Sequence, residues 1–185
     1  GGIGGAGDTG GAVGNGVTGG AVTNSASATI ASATIHQNSP GAGGTGGLGV
    51  IAPNDGPNGS TGSSAGIANS GSLDLSSTIV AGGTAGTDVA NSGSLSGSFN
   101  LVEDGSDGLA DTLIVDPMLD PLANNGGATE THALMTGSSA IDAGSSALTN
   151  DQRSSTRVFD FASMSNASGG NGADIGAYEL QGISA

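Results

Sequence analysis

Val22-Thr23-Asn24-Ser25-Ala26-Ser27-Ala28, Ile67-Ala68-Asn69-Ser70-Gly71-Ser72-Leu73 and Val89-Ala90-Asn91-Ser92-Gly93-Ser94-Leu95 are three versions of one phrase. Each places a fixed Asn-Ser pair between two apolar-bearing runs. Val89 follows Ile67 by 22 residues, a period typical of stacked-repeat architectures rather than of a globule with one closed core. Ile67 follows Val22 by 45, two such periods with one residue to spare. The spacing therefore predicts a further coil inside the gap, centred on Leu48-Gly49-Val50-Ile51 and interrupted by a loop-rich insertion over 39–66.

Around the phrases the chain alternates small apolar residues with Ser and Thr. Ala26, Ala28 and Ile30 precede Ala33-Thr34-Ile35, and Leu73 and Leu75 precede Thr78-Ile79-Val80. Period-two alternation enriched in β-branched residues predicts strands, with a short Ser/Ala break between the two strands of each copy. In a stack of such strands Asn24, Asn69 and Asn91 fall at equivalent positions about 4.8 Å apart, where each amide can bond to the levels above and below. That is a structural role and needs no catalytic one.

Composition agrees with a narrow core. Among 185 residues there are 38 glycines, three Phe, one Tyr and no Trp, so the interior must be lined by Ala, Val, Ile and Leu. The apolar positions recur in register, which argues for order despite the Gly and Ser content. The expected fold is all-β: a right-handed parallel β-helix, or solenoid, with an irregular C-terminal closing segment. Residues 1–115 would form the coils and 116–185 the closing segment packed on them.

Sixteen carboxylates face only Arg153 and Arg157, and the net charge is −14. Nucleic-acid binding depends on Lys and Arg displacing counterions, so it is excluded, and an anionic bilayer would repel the surface. Direct membrane insertion is not expected, since no apolar run approaches the ~18 residues a spanning helix needs. Without Cys there is no disulfide and no thiolate metal site. The start at Gly1, with no initiator Met or signal-like segment, is expected of a mature or trimmed product.

From Ser98 the sequence carries a specific set of phrases: Ser98-Phe99-Asn100-Leu101, then Asp116-Pro117-Met118-Leu119-Asp120-Pro121-Leu122 leading through Gly127 to Leu134. Gly137-Ser138-Ser139-Ala140-Ile141-Asp142-Ala143-Gly144, Asp151-Gln152-Arg153 and Asp174-Ile175-Gly176-Ala177-Tyr178-Glu179 follow. In this order they resemble the C-terminal part of bacterial choice-of-anchor Q proteins. The resemblance implies a right-handed parallel β-helix at the cell surface. Ser154 stands where that family usually has Gly, and the anchor usual beyond the final Glu is expected to have been removed, never to have existed, or to lie beyond Ala185.

Several constellations bear on chemistry. Arg153 and Arg157 sit four residues apart, and Asp142, Asp151, Asp174 and Glu179 are their expected partners in a clasp, because planar guanidiniums suit carboxylate pairing. Glu103, Asp104, Asp107 and Asp111 form an oxygen-rich group that suits Ca²⁺. Gly169 to Asp174 matches the start of a glycine-rich calcium nonapeptide, in a single copy. His36 and His132 are far apart in sequence and read as separate, non-ligating histidines. An ice-binding face would need ranks of Thr, and Thr34 with Thr78 is the one pair that suggests it.

No cofactor is required by these residues; Ca²⁺ is the candidate ion. Catalysis is not expected. A polyuronate lyase needs a strong base and cations against its substrate, and the sparse aromatic residues offer no sugar platform to support Asp104, Asp107, Asp111, Asp116 or Asp120 as hydrolase carboxylates. The leading expectation is an extracellular or cell-surface structural or adhesive protein that self-associates head to tail into a fibre or matrix, with Gly1–Val22 as the contact segment. A calcium-stabilised monomeric adhesin binding glycans or a cell-surface partner, and a fragment of a carbohydrate-active β-helix enzyme, are the alternatives.

Overall fold

The computed structural model describes residues 19–47, 56–109 and 111–182, and every regular element among them is a strand. Nine strands run in chain order: β1 (Val22–Asn24), β2 (Ser27–Ala31), β3 (Thr34–His36), β4 (Ser64–Asn69), β5 (Ser72–Ser76), β6 (Ile79–Ala81), β7 (Thr87–Asn91), β8 (Ser94–Ser96) and β9 (Leu101–Val102). They form three parallel sheets of order β1-β4-β7, β2-β5-β8 and β3-β6-β9. Each consecutive triplet of strands therefore contributes one strand to each sheet, and the chain visits the sheets in the same sequence three times.

Register follows the repeated phrase. Val22 pairs with Ile67 and Ile67 with Val89, while Ala28 pairs with Leu73 and Leu73 with Leu95. Because alternate side chains leave a strand on opposite faces, the sheets turn one row each toward a shared interior. Ile67, Leu73, Leu75, Val80, Val89 and Val102 fill it, with Val22, Ala28, Ile30, Ile35 and Leu95 packed around them. Burying each of the larger side chains contributes about 2 kcal/mol.

The corner between the second and third sheets is made the same way at each level. Ser32, Ser77 and Phe99, which are equivalent positions, all take left-handed backbone (φ 50°, 45° and 57°). That costs a non-glycine residue about 1 kcal/mol, tolerated here because pairing on both sides of the bend holds the chain in place.

The expected coil between the first two phrases is absent: β1, β2 and β3 pair directly with β4, β5 and β6. The 45-residue gap is one period plus an excursion. Leu48–Ile51, expected at its centre, lie outside the described residues. On the flanks, Gly62, Gly59 and Gly56 donate N–H groups to the carbonyls of Gly41, Gly44 and Gly47 at 2.9, 2.9 and 2.8 Å. Antiparallel pairing at every third residue matches a three-residue helical repeat of the polyproline type. Glycine is needed there, since a Cβ on Gly46 would stand 1.7 Å from the Gly56 oxygen.

The register also separates Thr34 from Thr78. Thr34 pairs with Ile79, and Thr78 is buried with its hydroxyl donated to the Ser76 carbonyl at 2.9 Å, so the two make no shared rank.

Apart from Thr34 and His36 of β3, the third sheet is apolar on both faces. Val80 and Val102 point into the shared interior, whereas Ile79, Ala81 and Leu101 pack outward against Leu134, Ala140, Ile141 and Ile175 of the C-terminal segment. That segment runs along the sheet and touches all three levels. Ala177 N donates to Thr34 Oγ1 at 3.0 Å, Ser77 Oγ donates to the Ser145 carbonyl at 2.7 Å, and Leu134 and Ile175 share a cluster with Leu101. It closes a side of the stack.

Candidate functional site

Three places carry polar side chains held for a reason: the asparagine corner, the turn beyond β9, and the buried centre of the C-terminal segment.

At the first corner each asparagine accepts the N–H two residues on through its Oδ1, at 3.2 Å in every copy (Ala26, Gly71, Gly93), which makes the bend. The Nδ2 groups then link the levels. Asn24 Nδ2 donates to Asn69 Oδ1 at 2.8 Å, and Asn69 Nδ2 donates to Asn91 Oδ1 at 2.7 Å. Each also reaches a backbone carbonyl of the next level, Ser72 and Ser94. The ladder has a direction. Among the described residues Asn91, which is exposed, has no protein partner for its Nδ2, so the chain of amides ends at the solvent-facing Asn91.

Close stacking at this corner dictates the glycines. A Cβ on Gly71 would stand 2.0 Å from the Ala26 oxygen, and one on Gly93 would stand 2.1 Å from the Gly71 oxygen. The Cβ direction there runs toward the preceding level. Ala26, at the first level, carries a methyl in that direction and is exposed.

Beyond β9 the acidic residues serve the strand end. Glu103 Oε2 accepts Gly82 N–H at 2.8 Å, Asp104 Oδ2 accepts Asp88 N–H at 2.9 Å, and Ser106 Oγ accepts Val89 N–H at 2.7 Å. Asp107 accepts Thr112 Oγ1 at 2.6 Å and Leu109 N–H at 3.3 Å, while Asp111 is exposed. Three of the four proposed calcium ligands are thus engaged separately and the fourth is exposed, and no three acidic or histidine side chains among the described residues come together as a metal set. Burial pushes the Asp88 carboxyl up, with the Asp104 charge adding to it. Burial acts on Asp104 in the same sense but is outweighed by the Ser106 hydroxyl and neighbouring N–H groups, which hold it below the ordinary carboxylate value.

The C-terminal segment has almost no ladder pairing, so its buried N–H groups must find side-chain acceptors. Carboxylates supply them. Asp174 accepts Asp142 N–H at 2.9 Å and Leu180 N–H at 2.6 Å, and Asp142 accepts Phe161 N–H at 3.1 Å. Glu179 accepts Phe159 N–H at 2.7 Å and Asp174 N–H at 3.1 Å. Asp174 is also not free to act as the calcium-nonapeptide carboxylate for this reason.

The arginines are paired less widely than expected. Arg153 binds Asp151 Oδ2 through Nε at 2.8 Å and Nη2 at 2.7 Å, reaches the Glu179 carbonyl, and lies 3.6 Å over the Tyr178 ring. Arg157, buried, donates to the carbonyls of Gly176 (2.8 Å) and Asp174 (3.3 Å) and stands 3.9 Å from Glu179 Oε2, with its Nε unpartnered among the described residues. The side chains of Asp142 and Asp174 pair with neither guanidinium; backbone amides claim them instead.

Electrostatics follow from this excess of buried acid. Burial raises Asp174 to about 7, against the pull of its two N–H donors and with help from Glu179 and Asp142. Burial raises Glu179 and Asp142 as well and lowers Arg157. Asp151 goes the other way: burial is outweighed by the Glu179 N–H and by Arg153.

Asp116 Oδ1 accepts Met118 N–H at 2.8 Å, and Asp120 follows the antiparallel Leu119–Leu134 bridge and donates its N–H to the Ala133 carbonyl at 2.9 Å. The two histidines, read from sequence as unrelated, are in contact: the rings lie 4.7 Å apart, centre to centre, at 77°. No protein-family model, curated protein or solved structure matches the chain.

Proposed function

We propose that the chain is a structural segment of a secreted or surface-displayed protein: a right-handed parallel β-helix of three levels, clasped along one side by residues 116–185, which self-associates through its end strands. The observation that carries this reading is the directional amide ladder, which runs through every level and ends at the exposed Asn91 amide, where a further level would accept from its Nδ2. The open end supports it further. Leu113 continues the third sheet and the 103–106 turn satisfies the end of β7, but β8 has no described partner on its outer side. Unpaired strand edges invite a second chain. The acidic surface and the resemblance of the closing phrases to choice-of-anchor Q proteins support placement at the cell exterior.

Residues 1–18 of the expected contact segment Gly1–Val22 lie outside the described residues; among the described ones, contact between the last level of one copy and the first level of another meets an obstacle at the asparagine corner. At the spacing used inside the molecule, the Ala26 methyl would meet the Gly93 carbonyl of the adjoining copy at about 2 Å, by analogy with Gly71 and Gly93. The junction therefore opens at that corner, and association is weak in this sequence. Light scattering on size-separated protein, with electron microscopy, tests the reading. Concentration-dependent end-to-end particles are expected, and Ala26→Gly should strengthen them. Dispersed monomers at high concentration for both chains would overturn self-association.

A further inference from the structure

We propose that His36 and His132 form a site for a late first-row divalent cation, Cu²⁺, Ni²⁺ or Zn²⁺, that ties the first strand triplet to the C-terminal segment. His36 lies on β3 and His132 on the segment covering that sheet, and their rings meet edge to face at 4.7 Å. Burying two imidazoles against each other gives no hydrogen bond. The polar edges are accordingly left for something else.

The surroundings suit ligation. His132 Nδ1 lies 2.8 Å from the Asp120 carbonyl, which can only accept, so the proton sits on Nδ1 and the Nε2 lone pair is free. Orientation of a ligating imidazole by a carbonyl on its other nitrogen is the usual outer support of such sites. His36 Nδ1 is buried without a partner among the described residues. Gly82 keeps the space beside His36 open, since a Cβ there would stand 2.8 Å from Nε2. A cavity of about 380 Å³, lined in part by Gln37, Asp120 and Leu122, gives access to both rings.

Charge points the same way. Burial and the neighbouring His132 lower the basicity of His36, while Glu103 and Asp116 supply negative potential. No third His, Asp or Glu among the described residues completes a protein set, so water fills the other positions. Two imidazoles favour Cu²⁺, Ni²⁺ and Zn²⁺ over the hard ions that prefer carboxylates.

The test is calorimetric titration of the folded chain with NiCl₂, ZnCl₂ and CuCl₂, with excess Ca²⁺ and Mg²⁺ present to occupy surface carboxylates. One equivalent should bind to the wild type, and His132→Gln should bind at least about tenfold more weakly, as should His36→Gln. The Cu²⁺-loaded wild type should show nitrogen hyperfine structure from two imidazoles by electron paramagnetic resonance, reduced to one in His132→Gln. His132→Gln leaves β3 intact and decides the matter if His36→Gln does not fold. Absence of binding by the wild type, or unchanged binding by His132→Gln, would overturn the proposal.

Discussion

Replacing Asn69 by Ala should cost several times more stability than the same change at Asn91, although the two occupy the same place in the repeated phrase. Asn69 is 2 % exposed and its amide takes part in five bonds. Its removal leaves Asn24 Nδ2 with the carbonyls of Ala26 and Ser72 and leaves Asn91 Oδ1 with Gly93 N–H. The Gly71 N–H and the Ser94 carbonyl lose a side-chain partner. At about 1–3 kcal/mol for each buried group left unsatisfied, together with the small void, the loss is on the order of 4 kcal/mol. At Asn91, which is exposed, water replaces the lost bonds and the cost is about 1 kcal/mol or less. Asn69→Asp should be worse than Ala, because it turns an acceptor toward Asn91 Oδ1 and the Ser94 carbonyl. Urea unfolding followed by far-ultraviolet circular dichroism measures the strands, and Tyr178 fluorescence follows the clasp in the same samples. Equal losses for Asn69→Ala and Asn91→Ala, or a loss below about 0.5 kcal/mol at Asn69, would refute the account of the ladder as a buried, directional network.

Two further outcomes follow from the same geometry. Because Asp174 has its folded pKa raised to about 7 while the unfolded chain titrates near the ordinary carboxylate value, the folded state holds the extra proton. Stability should therefore be fullest near pH 4 and fall by on the order of 4 kcal/mol as pH rises to 7. Asp104 and Asp151, held low, contribute in the opposite sense and lose their stabilisation as pH falls below about 4. Asp174→Asn should flatten the slope between pH 4 and 7 in urea midpoints, and an unchanged slope would remove Asp174 as its source. Gly71→Ala should destabilise by roughly 3 kcal/mol, since the new methyl meets the Ala26 carbonyl rather than a side chain that can move; a melting temperature within a degree or two of wild type would show that the corner can open.

Much of the sheet pairing was legible in the sequence, and the reason is local. The repeated phrase carries its own register, since a one-residue slip would turn Ile67, Leu73 and Val89 out of the interior, so aligning the phrases aligned the strands. The asparagine ladder was legible for the same reason. The gap before the second phrase was not. A length of 45 residues fits two periods as well as one period with an excursion, and the local sign of the excursion is glycine at every third position on both flanks, Gly41, Gly44 and Gly47 against Gly56, Gly59 and Gly62.

The polar clusters were harder still. Carboxylate and guanidinium types suggested ion pairs among Asp142, Asp174, Glu179 and the arginines, yet in a segment with little ladder pairing the nearest claim on a buried carboxylate is an unpaired N–H. The same competition drew Glu103, Asp104 and Asp107 out of a calcium-like group into separate backbone contacts, and left Asp111 exposed.

Sequence by itself determined the strands, the register of the first two sheets, the narrow aliphatic interior and the bend at each asparagine, because these depend on periodicity and on bonds between near neighbours. Tertiary structure alone decided which levels touch, which backbone groups the buried acids serve, and that His36 meets His132. Those outcomes depend on how the C-terminal segment lies along the third sheet, bringing together residues whose separation in the chain carries no information about their separation in space.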